Sequence, residues 1–204
     1  MHHNILTDKQ RQLLTFVSKF RKNYYLVGGT AIALHIGHRT SIDFDLFTQN
    51  KINKSFIKKE ISKLKFNKQI IFEDIDQLHL LINDVKTTFF LYPYSVNHNE
   101  VFNRIITVPS LLSLSAMKAF ALGRRAKWKD YVDLFFIIKN YYSIKEISIE
   151  AVNIFGELFS EKLFRGQIAF HDDIDYSEPV EYIKGYEILD KEIKQFLIEK
   201  SIEI

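Results

Sequence analysis

The sequence predicts an α/β (α+β) protein in which a mixed sheet flanked by helices is followed by a mostly helical C-terminal half. Three observations carry this prediction. The stretch Tyr24–Phe47, YYLVGGTAIALHIGHRTSIDFDLF, has the pattern of a strand, a Gly-Gly turn, a helix and a second strand. Three β-favouring runs follow it, and after Pro109 apolar residues recur at helical spacing. We therefore expect an α/β domain over residues 1–107 and a helical domain over 108–204, with a cleft between them.

Composition narrows the class of protein. Of 204 residues, 47% are hydrophobic and 26% charged, which is ordinary for a globular protein and excludes wholesale disorder. No apolar run approaches the ~20 residues of a membrane helix, and the first residues lack the layout of a signal peptide. We therefore expect a cytoplasmic protein without a membrane partner. The absence of cysteine excludes disulfides and thiolate metal sites. The net charge of +3 permits a nucleic-acid partner without arguing for one.

The chain opens with a predicted helix. Thr7 and Gln10 have the spacing of a capping box, in which each side chain covers a free backbone N–H group of the other residue. Apolar residues then recur at helical spacing, at Leu13, Leu14, Val17 and Phe20. We expect this helix to end around Lys22-Asn23, before the first strand.

Gly28 and Gly29 follow that strand directly. Two glycines let the backbone turn sharply and leave room for a large group to approach the main chain. Thr30 then begins a helix whose free N–H groups and dipole favour an anion such as phosphate. A lone Gly-Gly pair also suits a simple strand-to-helix turn, and this one is neither a Walker loop nor a GxGxxG fingerprint.

Two aspartates in the following strand suggest a metal site. In a strand over Ser41–Phe47, Asp43 and Asp45 face one side while Ile42, Phe44 and Leu46 face the other. Two carboxylates on one face repel each other unless a positive charge lies between them, and they suit Mg²⁺, which prefers oxygen ligands. A solvent-facing strand with an acidic edge explains the pattern equally well. The Gly-Gly turn just before it favours the metal site.

The middle of the chain predicts a helix and a hairpin. Asn53–Lys65 reads as a helix whose lysine-rich face is solvated rather than bound to a phosphate backbone. Strands are expected at Gln69–Phe72, Leu78–Ile82 and Lys86–Tyr92. Asn83-Asp84 has the pattern of a hairpin turn, so Asp84 is expected to be a turn residue rather than a third metal ligand.

Charged residues stand out in the C-terminal half. Lys118 is the lone charge in the predicted helix Ser110–Leu122, where a lysine either extends to solvent or reaches into a cleft to bind phosphate. A basic cluster follows at Arg124, Arg125, Lys127 and Lys129. In the next helix, Lys129 and Asp133 have the spacing of an i,i+4 surface pair. The acidic loop His171–Asp175 is expected to be a solvated linker.

With these residues in hand, the chain resembles the AbiEii/AbiGii-type nucleotidyltransferases of the DNA polymerase β-like superfamily. The resemblance rests on three separated segments, LVGGTAIAL…GHRTSIDFDLF, VKTTFFLYPY and MKAFALGRR…KWKDYVDLFFII, which occur in the expected order over residues 24–140. Members of this family are toxin components of bacterial abortive-infection and type IV toxin–antitoxin systems. The resemblance therefore implies a polymerase β-like fold, an NTP co-substrate and a cognate antitoxin.

The resemblance also implies roles for individual residues. Gly28, Gly29 and Thr30 would bind the nucleotide, with Arg39 as a weaker candidate for phosphate contact. Asp43 and Asp45 would be catalytic and would hold Mg²⁺, or Mn²⁺ in its place. Lys118 would contact the phosphates as a catalytic and nucleotide-binding residue. Asp130, in the K-D-x-x-D segment, would be catalytic by positioning or activating the acceptor.

The expected reaction is transfer of a nucleoside monophosphate to an RNA 3′ end, such as that of tRNA, by family analogy. One departure from the superfamily pattern matters, because the run Lys86–Phe90 carries no third carboxylate. Two alternatives stay open, because the third carboxylate is absent and because the sequence does not identify the acceptor. The same transfer could serve a protein or small-molecule (aminoglycoside-like) hydroxyl, or the chain could be a degraded nucleotide-binding module.

Overall fold

A computed structural model describes residues 1–203, so Ile204, the last residue of the predicted helical domain, lies outside it. In that range the chain forms one seven-stranded sheet and eight α-helices. The strands are β1 (Tyr25–Val27), β2 (Phe44–Thr48), β3 (Lys68–Asp74), β4 (Gln77–Ile82), β5 (Val85–Leu91), β6 (Glu100–Phe102) and β7 (Ile106–Val108). The helices are α1 (Asp8–Ser18), α2 (Gly28–Ile36), α3 (Lys54–Ser62), α4 (Leu111–Leu122), α5 (Trp128–Asn140), α6 (Ile144–Phe155), α7 (Glu161–Ala169) and α8 (Asp190–Ile202).

The sheet is mixed, which confirms the predicted fold class. Its strand order is β3-β4-β5-β2-β1-β7-β6. The central strand β2 runs antiparallel to β1 and parallel to β5. In this register Asp45 lies opposite Val27 on one side and Thr88 on the other. The second predicted aspartate is therefore held at the middle of the sheet, where both neighbouring strands fix its position.

Local sequence signals explain where several elements begin and end. The capping box before α1 is confirmed, because Gln10 N donates to Thr7 Oγ1 (3.2 Å) and Thr7 N donates to Gln10 Oε1 (3.0 Å). Asn83 and Asp84 form the β4–β5 turn with φ of 52° and 62°, so Asp84 is a turn residue as predicted.

One hydrophobic core joins the sheet to the later helices. Ile32 on α2, Phe44 and Leu46 on β2, Leu114 on α4 and Tyr131 on α5 all belong to the same buried cluster. The helix α2 packs against both α4 and α5. The last strand ends at Val108, close to the predicted boundary at residue 107, but the core continues across it. The division into two domains stays a prediction.

The structure differs from the sequence prediction in several places. The helix α1 ends at Ser18 rather than around Lys22-Asn23, because residues 19–23 form turns, and α2 begins at Gly28 rather than at Thr30. The strand β2 begins at Phe44 rather than Ser41, and Ile42 is half exposed instead of facing the core. The strands β6 and β7 were not predicted, because three residues each are too short for a periodic pattern. Residues 170–189 form an irregular segment between α7 and α8 in the region expected to be mostly helical. No helix in residues 1–203 is long and apolar enough to cross a bilayer.

Candidate active site

The carboxylate of Asp45 lies directly against Gly28, the first residue of α2. A Cβ atom added to Gly28 would stand 2.2 Å from Asp45 Oδ2, and Gly28 has a φ of +74° that other residues rarely adopt. The N-cap residue Val27 offers no side-chain hydrogen bond to the helix. The first N–H groups of α2 are therefore free to meet an anionic group next to Asp45.

Asp43 and Asp45 are carboxyl groups whose negative charges are disfavoured by burial and by each other. Burial raises the pKa of both carboxyl groups, and the neighbouring Asp43 raises that of Asp45 further. The ammonium group of Lys86 counteracts this effect at both residues. The hydroxyl of Thr30 donates to the carbonyl of Asp43 and so fixes the entry to β2. Two acidic groups are thus held together where a positive charge would relieve their repulsion.

A cleft of about 520 Å³ opens beside Asp45. Gly28, Asp45, Lys86 and Lys118 all line it. Lys86, on β5, is exposed and forms no ion pair with any residue in the described range. Aromatic side chains line other parts of the cleft, at Phe47, Phe90, Tyr92, Tyr94 and Phe120. Arg124 also lines the cleft without an ion pair in the described range, and its guanidinium lies over the Phe120 ring. The cleft therefore combines two such cations and one acid with an apolar surface suited to a nucleobase.

A buried ion network lies behind the cleft around Asp133 of α5. Arg39 binds its two oxygens, with Nε–Oδ1 and Nη2–Oδ2 distances of 2.7 and 2.8 Å. Lys118 Nζ lies 2.9 Å from Oδ2, and His38 Nε2 lies 2.8 Å from Oδ1. Burial alone would raise the pKa of Asp133, but Arg39 and Lys118 hold it well below its ordinary value. The network connects the loop after α2 with α4 and α5.

Lys118 and Asp130 form the part of this network nearest the cleft. Their Nζ–Oδ1 distance is 2.7 Å, and Arg125 Nε lies 2.9 Å from the other oxygen of Asp130. Burial lowers the pKa of Lys118, but the carboxylates of Asp130 and Asp133 outweigh it and leave that pKa raised. Lys118 is therefore a permanent cation in the cleft wall, already shared between two carboxylates.

The structure brings most of the predicted site residues together. Gly28, Asp45 and Lys118 line the cleft, and Asp43 and Asp130 adjoin it through the contacts above. The other three have internal partners. Thr30 is buried against Asp43, and Gly29 accommodates Arg39, whose Nη2 would lie 2.6 Å from a Cβ at that position. Contact of these three with a nucleotide stays a prediction, and for Arg39 it requires the pair with Asp133 to open.

Residues 175–183, which we call the strap, connect two loops of the site. At one end Asp175 N donates to Ala126 O (2.7 Å) and Trp128 N donates to Asp175 O (3.0 Å). At the other end Thr40 N donates to Glu181 O (2.9 Å) and Ile183 N donates to His38 O (3.0 Å). The acidic loop His171–Asp175 is solvated as predicted, since Asp172, Asp173 and Asp175 are exposed, but its last residue is tied to Ala126 and Trp128 where the strap begins.

A further prediction was wrong, and it exposes residues that sequence reasoning missed. Lys129 and Asp133 are not a surface pair, because Asp133 is fully buried and Lys129 Nζ lies 3.3 Å from Glu178 Oε2. Lys86, Asp133 and Glu178 were not predicted as site residues. The second acid of K-D-x-x-D was a signal for Asp133. No local pattern marks the other two.

The donor set at the start of β2 fits a hard divalent cation. Two carboxylates with raised pKa values, Asp43 and Asp45, are oxygen ligands whose repulsion such an ion would relieve. In residues 1–203 there is no cluster of three or more His, Asp or Glu side chains suited to a metal. β5 places Thr88 beside Asp45, where a third carboxylate is missing. The chain thus supplies two carboxylates, and other ligands must come from substrate and water.

A mixed sheet, an Asp-x-Asp strand beside a glycine at a helix start, and a facing helical lysine form the arrangement that the sequence resemblance implied. Residues 12–96 match the family model described as "Nucleotidyl transferase AbiEii toxin, Type IV TA system". This match confirms the resemblance found in the sequence, and it identifies a nucleotidyltransferase domain in the chain. It contains Gly28, Asp43, Asp45 and Lys86, while Lys118 lies beyond it.

Proteins of similar length resemble the chain in sequence or in fold. The chain is 28% identical over 207 residues to an uncharacterized protein of Aquifex aeolicus, covering 94% of this chain and 98% of that one. The structure of MenT4, a nucleotidyltransferase toxin from Mycobacterium tuberculosis, aligns with a TM-score of 0.65 at 14% identity, covering 95% of this chain and 80% of MenT4. A crystal structure described as "putative nucleotidyltransferase from H. pylori" aligns with a TM-score of 0.56 at 15% identity. The alignment covers 98% of this chain and 94% of that one.

Proposed function

We propose that the protein transfers a nucleoside monophosphate from an NTP to the 3′ end of an RNA, with tRNA as the acceptor, and acts as the toxin of a toxin–antitoxin pair. The observation that carries this proposal is the Asp45 carboxylate packed onto Gly28 at the uncapped start of α2, with Asp43 beside it. The free N–H groups suit a phosphate chain and the two carboxylates suit a metal ion. Nucleotidyl transfer depends mainly on such positioning and on charge neutralisation.

In this proposal Asp43 and Asp45 hold Mg²⁺. When bound, the ion would neutralise charge on the triphosphate and would lower the pKa of an attacking hydroxyl. The first N–H groups of α2 and the ammonium of Lys86 hold the triphosphate. Lys118 adds a fixed positive charge where the pyrophosphate leaves. The acceptor oxygen bonds to the α-phosphorus as the bond to pyrophosphate breaks, and Asp130 positions or deprotonates that acceptor hydroxyl.

The test incubates purified protein with each labelled NTP, Mg²⁺ and total tRNA, beside Asp43→Asn and Asp45→Asn. Asp84→Asn is the matched control, because Asp84 is an exposed turn residue whose single ion pair within residues 1–203 is with Lys9. We expect labelled RNA from the wild type and from Asp84→Asn, and a loss of at least a hundredfold in the other two. Unlabelled RNA in every reaction contradicts the proposal.

The same samples distinguish the alternative acceptors. Label that resists nuclease and disappears with protease indicates a protein hydroxyl, and label that resists both indicates a small molecule. NTP binding without any turnover indicates a degraded nucleotide-binding module. Growth arrest on expression, relieved by a neighbouring gene, tests the toxin role separately.

A further inference from the structure

The strap places a carboxylate between two lysines at the edge of the site. Glu178 pairs with Lys127 through Oε1, and its Oε2 lies 3.3 Å from Lys129 Nζ. These are the only ion pairs of the three side chains among the described residues. The side chains of Lys127, Lys129 and Glu178 are 34%, 20% and 42% exposed. Ion pairs this exposed are worth about 0–1 kcal/mol, so another anion can replace Glu178 at small cost.

These lysines lie outside the cleft wall, on the side of Asp43. Arg125 and Asp45 line the cleft, whereas Lys127, Lys129 and Asp43 do not. The charges of Lys127, Lys129 and Glu178 are among those that shift the pKa of Asp43. Lys127 and Lys129 also flank Trp128, the first residue of α5, and follow the cleft-lining Arg125 in the chain. A nucleotide that occupies the cleft therefore leaves this flank open. An acceptor hydroxyl must approach in line with the leaving pyrophosphate, so its own chain has to enter from outside the triphosphate site.

We propose that Lys127 and Lys129 bind a backbone phosphate of the acceptor RNA, and that Glu178 holds this subsite in the free protein until the RNA displaces it. The inference rests on the proposed function, because it assigns the acceptor's binding subsite. A phosphodiester presents a negative charge and several acceptor oxygens to both ammonium groups, as the carboxylate of Glu178 does. The backbone bonds at both ends of the strap keep Glu178 close, so that it re-forms the pairs when RNA leaves.

The strap also supplies a matched control for Glu178. Glu181 lies three residues further along and is exposed, and its carboxylate accepts a hydrogen bond from Thr40 Oγ1 (3.0 Å) without contacting either lysine. Glu181→Gln changes the net charge by the same amount as Glu178→Gln. A general electrostatic effect on RNA binding should therefore change the affinity of both variants equally. If RNA displaces Glu178, only Glu178→Gln should bind RNA more tightly.

The experiment measures binding of fluorescent single-stranded RNA and of tRNA by anisotropy, without NTP or metal, across a salt series. We expect Glu178→Gln to tighten binding about three- to tenfold at low salt, while Glu181→Gln stays within about twofold of wild type. The double variant Lys127→Ala/Lys129→Ala should weaken binding about tenfold and flatten the salt dependence by one to two units of slope. In that background Glu178→Gln should have no further effect. Thermal unfolding checks that each variant is folded.

The outcomes separate this inference from the proposed function. Equal effects of Glu178→Gln and Glu181→Gln, or unchanged binding in the lysine variant, overturn the inference and leave nucleotidyl transfer standing. RNA binding that depends on the lysines, with no labelling of RNA, supports the subsite and contradicts the proposed reaction. Wild-type protein that binds no RNA at all overturns the subsite, and the labelling reaction then decides separately whether RNA is the acceptor.

Discussion

Arg39 and Asp133 form a buried bidentate ion pair. Both nitrogen–oxygen distances are below 3 Å, although the residues are 94 positions apart in the sequence. Lys118 binds the same carboxylate. We expect Asp133→Asn to lower the free energy of unfolding by about 3–5 kcal/mol, because two buried cations then lose their shared counter-charge. Urea denaturation at pH 7 measures this loss.

Glu161→Gln is the control for that measurement. Glu161 pairs with Arg165 at 2.7 Å but at the surface, so its loss should cost no more than about 1 kcal/mol. An Asp133→Asn variant as stable as the control would show that the buried network contributes little to folding.

The same carboxylate predicts how stability depends on pH. The pKa of Asp133 in the folded protein lies well below its value in the unfolded chain, so its contribution is present above about pH 4 and is lost as the pH falls towards the folded-state pKa. We expect the wild type to keep its advantage over Asp133→Asn between about pH 7 and pH 5. That advantage should shrink below about pH 4. Urea titrations of both proteins at each pH provide the measurement, and a constant difference down to pH 3 contradicts the assignment.

Gly28→Ala tests the contact between α2 and Asp45. The added methyl group meets Asp45 Oδ2 at 2.2 Å and the backbone has a positive φ, so we expect a loss of at least a hundredfold in transfer activity and about 1–3 kcal/mol of stability. Gly166→Ala is the matched control, since Gly166 lies within α7 and a Cβ there meets nothing within 4 Å. That substitution should be neutral or stabilise by up to about 1 kcal/mol. Similar effects at both positions would refute the special role of Gly28.

Lys86→Ala tests a cation of the cleft that forms no ion pair in residues 1–203. We expect the KM for the NTP to rise about tenfold or more, because one charge-assisted contact with the triphosphate is worth about 1.5–3 kcal/mol. Lys86→Arg should recover part of the loss. Lys162→Ala, on the exposed side of α7, should match the wild type. Steady-state kinetics over a range of NTP concentrations measure the KM. An unchanged KM in Lys86→Ala would show that the triphosphate does not contact Lys86.

The sequence predicted the parts of the protein that local rules determine. The capping box of α1, the Asn83-Asp84 turn and the strands β4 and β5 all follow from short-range patterns. The resemblance added Lys118 and Asp130, which local rules left ambiguous.

What the sequence missed depends on partners far along the chain. The i,i+4 rule paired Asp133 with Lys129, because it cannot see that Arg39 and Lys118 reach the same carboxylate from other elements. Glu178 has no distinguishing pattern of its own, and its contact with Lys127 exists only because the strap crosses between two loops. Irregular segments such as residues 170–189 carry no periodicity from which these contacts could be read.

The strap has a consequence for the order of events during synthesis. It hydrogen-bonds to residues 38–40 and 126–128, so the loops on both sides of the site receive these contacts only when residues 175–183 have left the ribosome. Contacts between such distant segments also form slowly. A nascent chain would therefore carry an incomplete site until most of its length is made. For a protein proposed to attack RNA in the cell that makes it, this delay would keep the growing chain inactive beside the translation machinery.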